Sequence, residues 1–195
     1  MIRIFLSIIV FLSSWSVDAH QPVLNSESST AKSPYIIEKP EISKAIFSTL
    51  LGEPHYYRID SHSRFKFYAG ITVPKIDNCP ISKKFSFEVL DANFKLIERK
   101  DGGNFNWWPW YEKHGEKWYW IGPEIGEDFK SNRFYKEGTY YLRVFNETNT
   151  GQYVIAVGEI ESFPFSVIVR MLFTMHIINS TFWDDVKCPE SNNDG

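Results

Sequence analysis

The stretch Gly138-Thr139-Tyr140-Tyr141-Leu142-Arg143-Val144-Phe145, followed after Asn149-Thr150-Gly151 by Gln152-Tyr153-Val154-Ile155-Ala156-Val157, decides the fold class. Each half is a strand-length run rich in β-branched and aromatic residues, and the turn carrying Asn and Gly between them is a hairpin signal. The same grammar recurs upstream. Phe65, Phe67, Ala69, Ile71 and Val73 alternate with Arg64, Lys66, Tyr68, Gly70 and Thr72, which places one set on a core face. Phe85, Phe87 and Val89 alternate with Lys84, Ser86 and Glu88, and Asp91-Ala92-Asn93 turns that run into Phe94-Lys95-Leu96-Ile97. Short strands without helical crossovers pair antiparallel and need a second layer. The expected fold is therefore all-β, an antiparallel β-sandwich of jelly-roll kind.

One segment breaks the β pattern. Phe165, Ile168, Leu172 and Met175 recur at helical spacing while Ser166, Arg170 and Thr174 fall opposite, which predicts one amphipathic helix within residues 161–183, its apolar stripe on the sandwich. Thirteen of the 21 residues from Phe163 to Trp183 are apolar, so a helix lying on or crossing a membrane is the competing expectation. Arg170 and His176 interrupt the apolar run and favour packing.

The flanks follow from composition. Residues 1–19 have the layout of an export signal: Arg3, the apolar run Ile4 to Leu12, and Val17-Asp18-Ala19 as a small-residue cleavage site. That run is shorter than the roughly 20 residues of a stable span, so a secreted or periplasmic location follows, with membrane association through residues 163–183 as a variant of it. Residues 20–40 are polar and read as a flexible leader, 41–160 as the sandwich and 184–195 as a disordered tail.

The chain of 195 residues suits one domain, and its net charge of -3 gives no footprint for nucleic acid. Aromatic residues make up 17%, an excess that needs a core or a surface to occupy. There are two cysteines, Cys79 and Cys188. In an oxidising compartment they form either a bridge between the tail and the loop Asp77-Asn78-Cys79-Pro80 or two separate thiols.

Glu137-Gly138-Thr139-Tyr140-Tyr141-Leu142-Arg143-Val144, followed by Gly151-Gln152-Tyr153-Val154-Ile155-Ala156-Val157-Gly158, resembles the closing strands of the bacterial pre-peptidase C-terminal domain. Gly52-Glu53-Pro54-His55-Tyr56-Tyr57-Arg58-Ile59 is similar to its opening. The likeness brackets residues 45–158, with an inserted aromatic stretch that is not typical of that family. It implies a compact β-sandwich with an accessory or binding role and no catalytic residues to carry over. The chain also resembles a group of exported proteins sharing a W-x-P-x-Y-E element, a pattern that Trp107 to Glu112 matches.

The densest feature is Phe105 to Trp120, with eight aromatics in sixteen residues and five of the seven tryptophans. Trp107, Trp108, Trp110, Tyr111 and Trp118 are the candidate contacts for a carbohydrate or a protein surface, because such rings combine area with a polar handle. The structural alternative is a connection folded back to close the sandwich. Glu112 and Glu116 are the carboxylates a glycoside hydrolase would use, but no nucleophile elbow, phosphate loop or spaced ligand set accompanies them. His20, His55 and His62 lack metal-ligand spacing, so no metal and no cofactor is expected. Asn146-Glu147-Thr148 and Asn179-Ser180-Thr181 match the glycosylation acceptor pattern.

Overall fold

The computed structural model describes residues 20–113 and 115–188. The expected export signal, 1–19, and the end of the expected tail, 189–195, lie outside the described residues. Two sheets face each other. The six-stranded sheet runs β1 (Gln21–Asn25), β3 (Lys44–Leu51), β13 (Thr150–Val157), β6 (Ala69–Pro74), β10 (Lys117–Glu124) and β9 (Trp108–Glu112). The five-stranded sheet runs β2 (Tyr35–Ile36), β4 (His55–Ser61), β12 (Gly138–Phe145), β7 (Ser86–Asp91) and β8 (Leu96–Lys100). A small ribbon of β5 (Phe65–Lys66) and β11 (Phe134–Tyr135) completes the strands.

The alternation seen in the sequence fills the space between the sheets. Phe67, Ala69, Ile71 and Val73 are buried there with Ile46, Leu50, Tyr153, Ile155 and Val157 from the same sheet, against Tyr57, Ile59, Phe87, Val89, Leu142 and Val144 of the other. Much of the aromatic excess is core. Phe65, Phe67, Tyr135 and Tyr140 close one end as a cluster of rings 5.3–5.9 Å apart. A chain of buried hydroxyls crosses the interior, Tyr57 to Tyr153 at 2.6 Å and on to the His55 ring at 2.9 Å, with Ser48 at 3.1 Å. Each buried polar atom in that chain has a partner, as a low-dielectric interior requires.

Three expectations need correction. The hairpin read at Asn149-Thr150-Gly151 does not pair its own strands. β12 pairs with β4 and β7, while β13 pairs with β3 and β6 in the opposite sheet. The turn is a crossover, and Asn146 staples it: its side-chain nitrogen donates to the Thr150 carbonyl at 2.8 Å and its side-chain oxygen accepts from the Thr148 and Thr150 amides at 3.2 Å. By contrast, Asp91-Ala92-Asn93 does join an antiparallel pair, β7 with β8.

The leader of residues 20–40 is not free. β1 and β2 add as parallel edge strands, one to each sheet, so the sandwich is mixed rather than wholly antiparallel. An edge strand needs apolar residues at few positions, and the buried polar ones here are bonded: Asn25 donates to the hydroxyls of Ser29 and Ser48 at 3.1 and 3.2 Å, and Ser29 accepts from the Tyr56 amide. A polar composition thus concealed two strands.

The C-terminal helix, α1 (Phe165–Ile177), is present, but most of its expected apolar stripe is not covered. Of the stripe expected to face the sandwich, Phe165, Leu172 and Ile168 are 80%, 71% and 45% exposed, Met175 alone packs toward the sheet, and no residue of α1 is buried. Val167, Met171, Thr174 and Met175 are only partly covered. Attachment comes from contacts of α1 with β1, from the Gln21 side chain donating to the Ser162 carbonyl, and from the following turn of π-helix, Ile178–Trp183, whose Ile178 and Phe182 are buried beside Phe47 and Val154. Beyond it, Cys188 is bonded to Cys79, with Cα atoms 5.7 Å apart. The first residues of the expected tail are therefore tied to the domain.

Candidate functional site

Phe105 to Trp120 forms no loop platform. It builds the β9–β10 hairpin at the edge of the six-stranded sheet, where Trp108, Trp110 and Glu112 stand opposite Ile121, Tyr119 and Lys117 on one face and Tyr111 opposite Trp118 on the other. Trp107 is a core residue. It is 9% exposed, its indole N–H donates to the Gly102 carbonyl at 2.8 Å, and its ring lies so close to Gly122 that a Cβ there would come within 2.4 Å. Trp107 is thus corrected from contact to packing, by the close approach that Gly122 permits.

Trp110 is half-buried toward the helix-covered face. The remaining three candidates are near 40% exposed: Trp108 on the helix side, and Tyr111 and Trp118 on the other, with ring centroids 5.1 Å apart. Lys75 lies 5.4 Å from the Trp118 ring and 5.7 Å from Trp120, a cation–π geometry. The five candidates are thereby divided among the core and two opposed surfaces.

Glu112 accepts from the Gly115 amide and Glu116 sits exposed in the hairpin turn. His62 is exposed. His55 is 3% exposed, and that burial pushes its imidazole down to about 4. Among the described residues no three His, Cys, Asp or Glu side chains come together as a metal site would require. Of the two acceptor asparagines, Asn146 is 8% exposed with its amide committed to the loop, and Asn179 is exposed.

A further feature lies on the outer face of the six-stranded sheet, where α1 contacts β1 and stands over strands β6, β10 and β13. Between helix and sheet is an apolar cleft of about 440 Å³, floored by Phe47, Ile121, Val154 and Ala156 and roofed by Met171 and Met175. A row of rings forms one wall: Phe129 to Trp110 at 5.4 Å, Trp110 to Tyr119 at 6.2 Å, Tyr119 to Trp183 at 5.3 Å. Burial and the nearby Glu112 charge raise the Tyr119 phenol above its ordinary value. Polar groups stand at the rim: Glu124, which accepts from the Tyr68 hydroxyl at 2.8 Å and the Phe129 amide at 3.1 Å, and Lys117, 5.0 Å from the Trp183 ring. His20 and Glu112 also line it.

Pattern reading missed this site, although a signal was present. Tyr153-Val154-Ile155-Ala156-Val157 and Ala45-Ile46-Phe47 are apolar on both faces, as strands covered on both sides must be. The helical stripe pointed the other way because the helix carries apolar residues around most of its circumference.

No family model matches the chain, and no curated protein does. Among solved structures, it is similar to the pre-peptidase C-terminal domain of collagenase from Bacillus anthracis. The two share 10% identity at a TM-score of 0.34, over 72% of this chain and 95% of that one. The β-sandwich itself is established by the strand pairings above.

Proposed function

We propose that the protein is an exported, non-enzymatic β-sandwich binding module that attaches to a lipid surface through the outward face of α1. One observation carries this reading: a helix with no buried residue presents Phe165, Leu172 and Phe173 at 80%, 71% and 69% exposure. Patches of that kind are rare on soluble surfaces without a partner. Phe165–Trp183 is, among the described residues, the one helix long and apolar enough to cross a membrane. Its C-terminal turn is buried on the sheet, however, and the chain beyond is bonded to Cys79, so the helix is held alongside the domain. That geometry favours lying in the interfacial plane, with Arg170 on the flank to meet anionic headgroups.

The test is sedimentation of the mature chain with vesicles of phosphatidylglycerol and phosphatidylcholine. The protein is expected to pellet with them, and a Phe165→Glu, Phe173→Glu variant to stay in solution with an unchanged urea midpoint. Wild-type protein remaining in the supernatant contradicts the reading.

A second reading rests on the Tyr111–Trp118 pair with Lys75 beside it, an exposed aromatic edge that suits the apolar face of a sugar ring. A glycan array distinguishes it: binding that disappears in Trp118→Ala supports recognition there, and binding that survives removes it.

A further inference from the structure

We propose that the cleft between α1 and the six-stranded sheet binds a single-chain amphiphile with a cationic, ammonium-type head. This concerns the sheet-facing side of the helix and does not depend on the lipid docking of its outward face. The volume, about 440 Å³, lies in the range of small-ligand sites, roughly 300–1,000 Å³. Its floor and roof are apolar side chains, and two of the roof residues are methionines, whose unbranched thioethers repack around guests of different shape. Those features suit an alkyl chain.

The head is chosen by the rim. The four-ring row Phe129, Trp110, Tyr119 and Trp183 lines the cleft, and aromatic rings attract cations. One end of the row already holds a cation, Lys117 at 5.0 Å from Trp183. Lys117 is also the cross-strand neighbour of Glu112, so the charges at that end oppose each other. A methyl group placed on Gly115 would lie 2.8 Å from the Glu112 carboxylate and 4.0 Å from the Met175 methyl, which fixes Glu112 under the helix at this end.

The other end differs. Beside Phe129 stands the Glu124 carboxylate, fixed by the Tyr68 hydroxyl and the Phe129 amide, and no cation lies within ion-pair reach of it among the described residues. An anionic group next to aromatic rings at an apolar cleft is complementary to an alkylammonium head and repels a sulfate or carboxylate. The tail would then run over Ile121 and Ala156 toward Met171.

The experiment titrates the full mature chain with dodecyltrimethylammonium, dodecyl maltoside and dodecyl sulfate, each below its micelle concentration, following tryptophan emission and calorimetric heat. The cationic probe is expected to bind about tenfold more tightly than the maltoside, the equivalent of about 1.4 kcal/mol, and the sulfate more weakly than either. Glu124→Gln, whose amide oxygen can still accept both hydrogen bonds, is expected to reduce the cationic preference to within about threefold while leaving maltoside affinity unchanged. Ala156→Trp, which fills the floor, is expected to abolish binding of all three with the near-ultraviolet circular dichroism of the fold retained. Equal affinity for the three probes, a cationic preference that survives Glu124→Gln, or no binding by the wild type overturns the proposal. Vesicle binding by the Ala156→Trp variant reports separately on the outward face of α1.

Discussion

The two faces of the six-stranded sheet are built from the same strands and differ in how they are closed. On the inner face Ile46, Ile71, Ile155 and Val157 are fully buried against a second sheet. On the outer face Phe47, Val154 and Ile121 are covered by the π-helical turn, by the side chains of Leu24, Trp110 and Phe129, and by a helix that leaves a cleft beneath it. A sheet pressed on a sheet leaves no room, because strands of fixed spacing interdigitate along their whole length. A helix tied down at both ends, at Ser162 by the Gln21 side chain and at Ile178 and Phe182 by the sheet, leaves a gap between its anchors. The inner face is therefore closed by packing, whereas the outer face keeps a cleft.

The largest effect that could break this comparison is truncation in the inner layer. Ile155→Ala is expected to cost about 2–5 kcal/mol, read from the urea midpoint. A cost below that of an outer-layer substitution would mean the faces were assigned the wrong way round. Next comes the Cys79–Cys188 bridge, which holds the end of the helical layer across a sequence separation of 109. Its removal in Cys79→Ser, Cys188→Ser is expected to cost about 2–4 kcal/mol. Hydrogen-exchange protection should fall in 165–183 before it falls in β13.

Smaller still is the pH response of the buried hydroxyl chain. Burial lowers the His55 imidazole from 6.5 to about 4. The unfolded chain therefore binds a proton that the folded one excludes, and this contribution to stability is complete above pH 6.5 and is lost as pH falls through 4. The urea midpoint should decline over that interval less steeply in His55→Gln than in the wild type, and equal slopes would assign the decline to other groups. The smallest expected effect is Phe173→Ser, within about 0.5 kcal/mol of wild type, because the ring lies in solvent.

The inner layer was legible and the outer one was not, for physical reasons. Alternation at Phe65 to Val73 and at Phe85 to Val89 reports one buried face, and those residues are buried. The hairpin signal at Asn149-Thr150-Gly151 was local, whereas the choice of partner strand was made by β3, β4, β6 and β7, far away in sequence. Edge strands such as β1 and β2 bury too few apolar residues to show a period. For α1, apolar residues surround the helix, so periodicity could establish the helix without choosing its covered side. The aromatic cluster was visible as a feature, but strand register divided Trp108 and Trp110 from Tyr111 and Trp118, and packing against Gly122 removed Trp107 from the surface.

The most direct test of the outer layer as the proposed working surface is hydrogen exchange on residues 20–195, with and without phosphatidylglycerol and phosphatidylcholine vesicles. Added protection should be confined to residues 165–177, with β13 and β6 unchanged. Protection gained at the Tyr111–Trp118 edge instead, or no change along α1, would contradict the account.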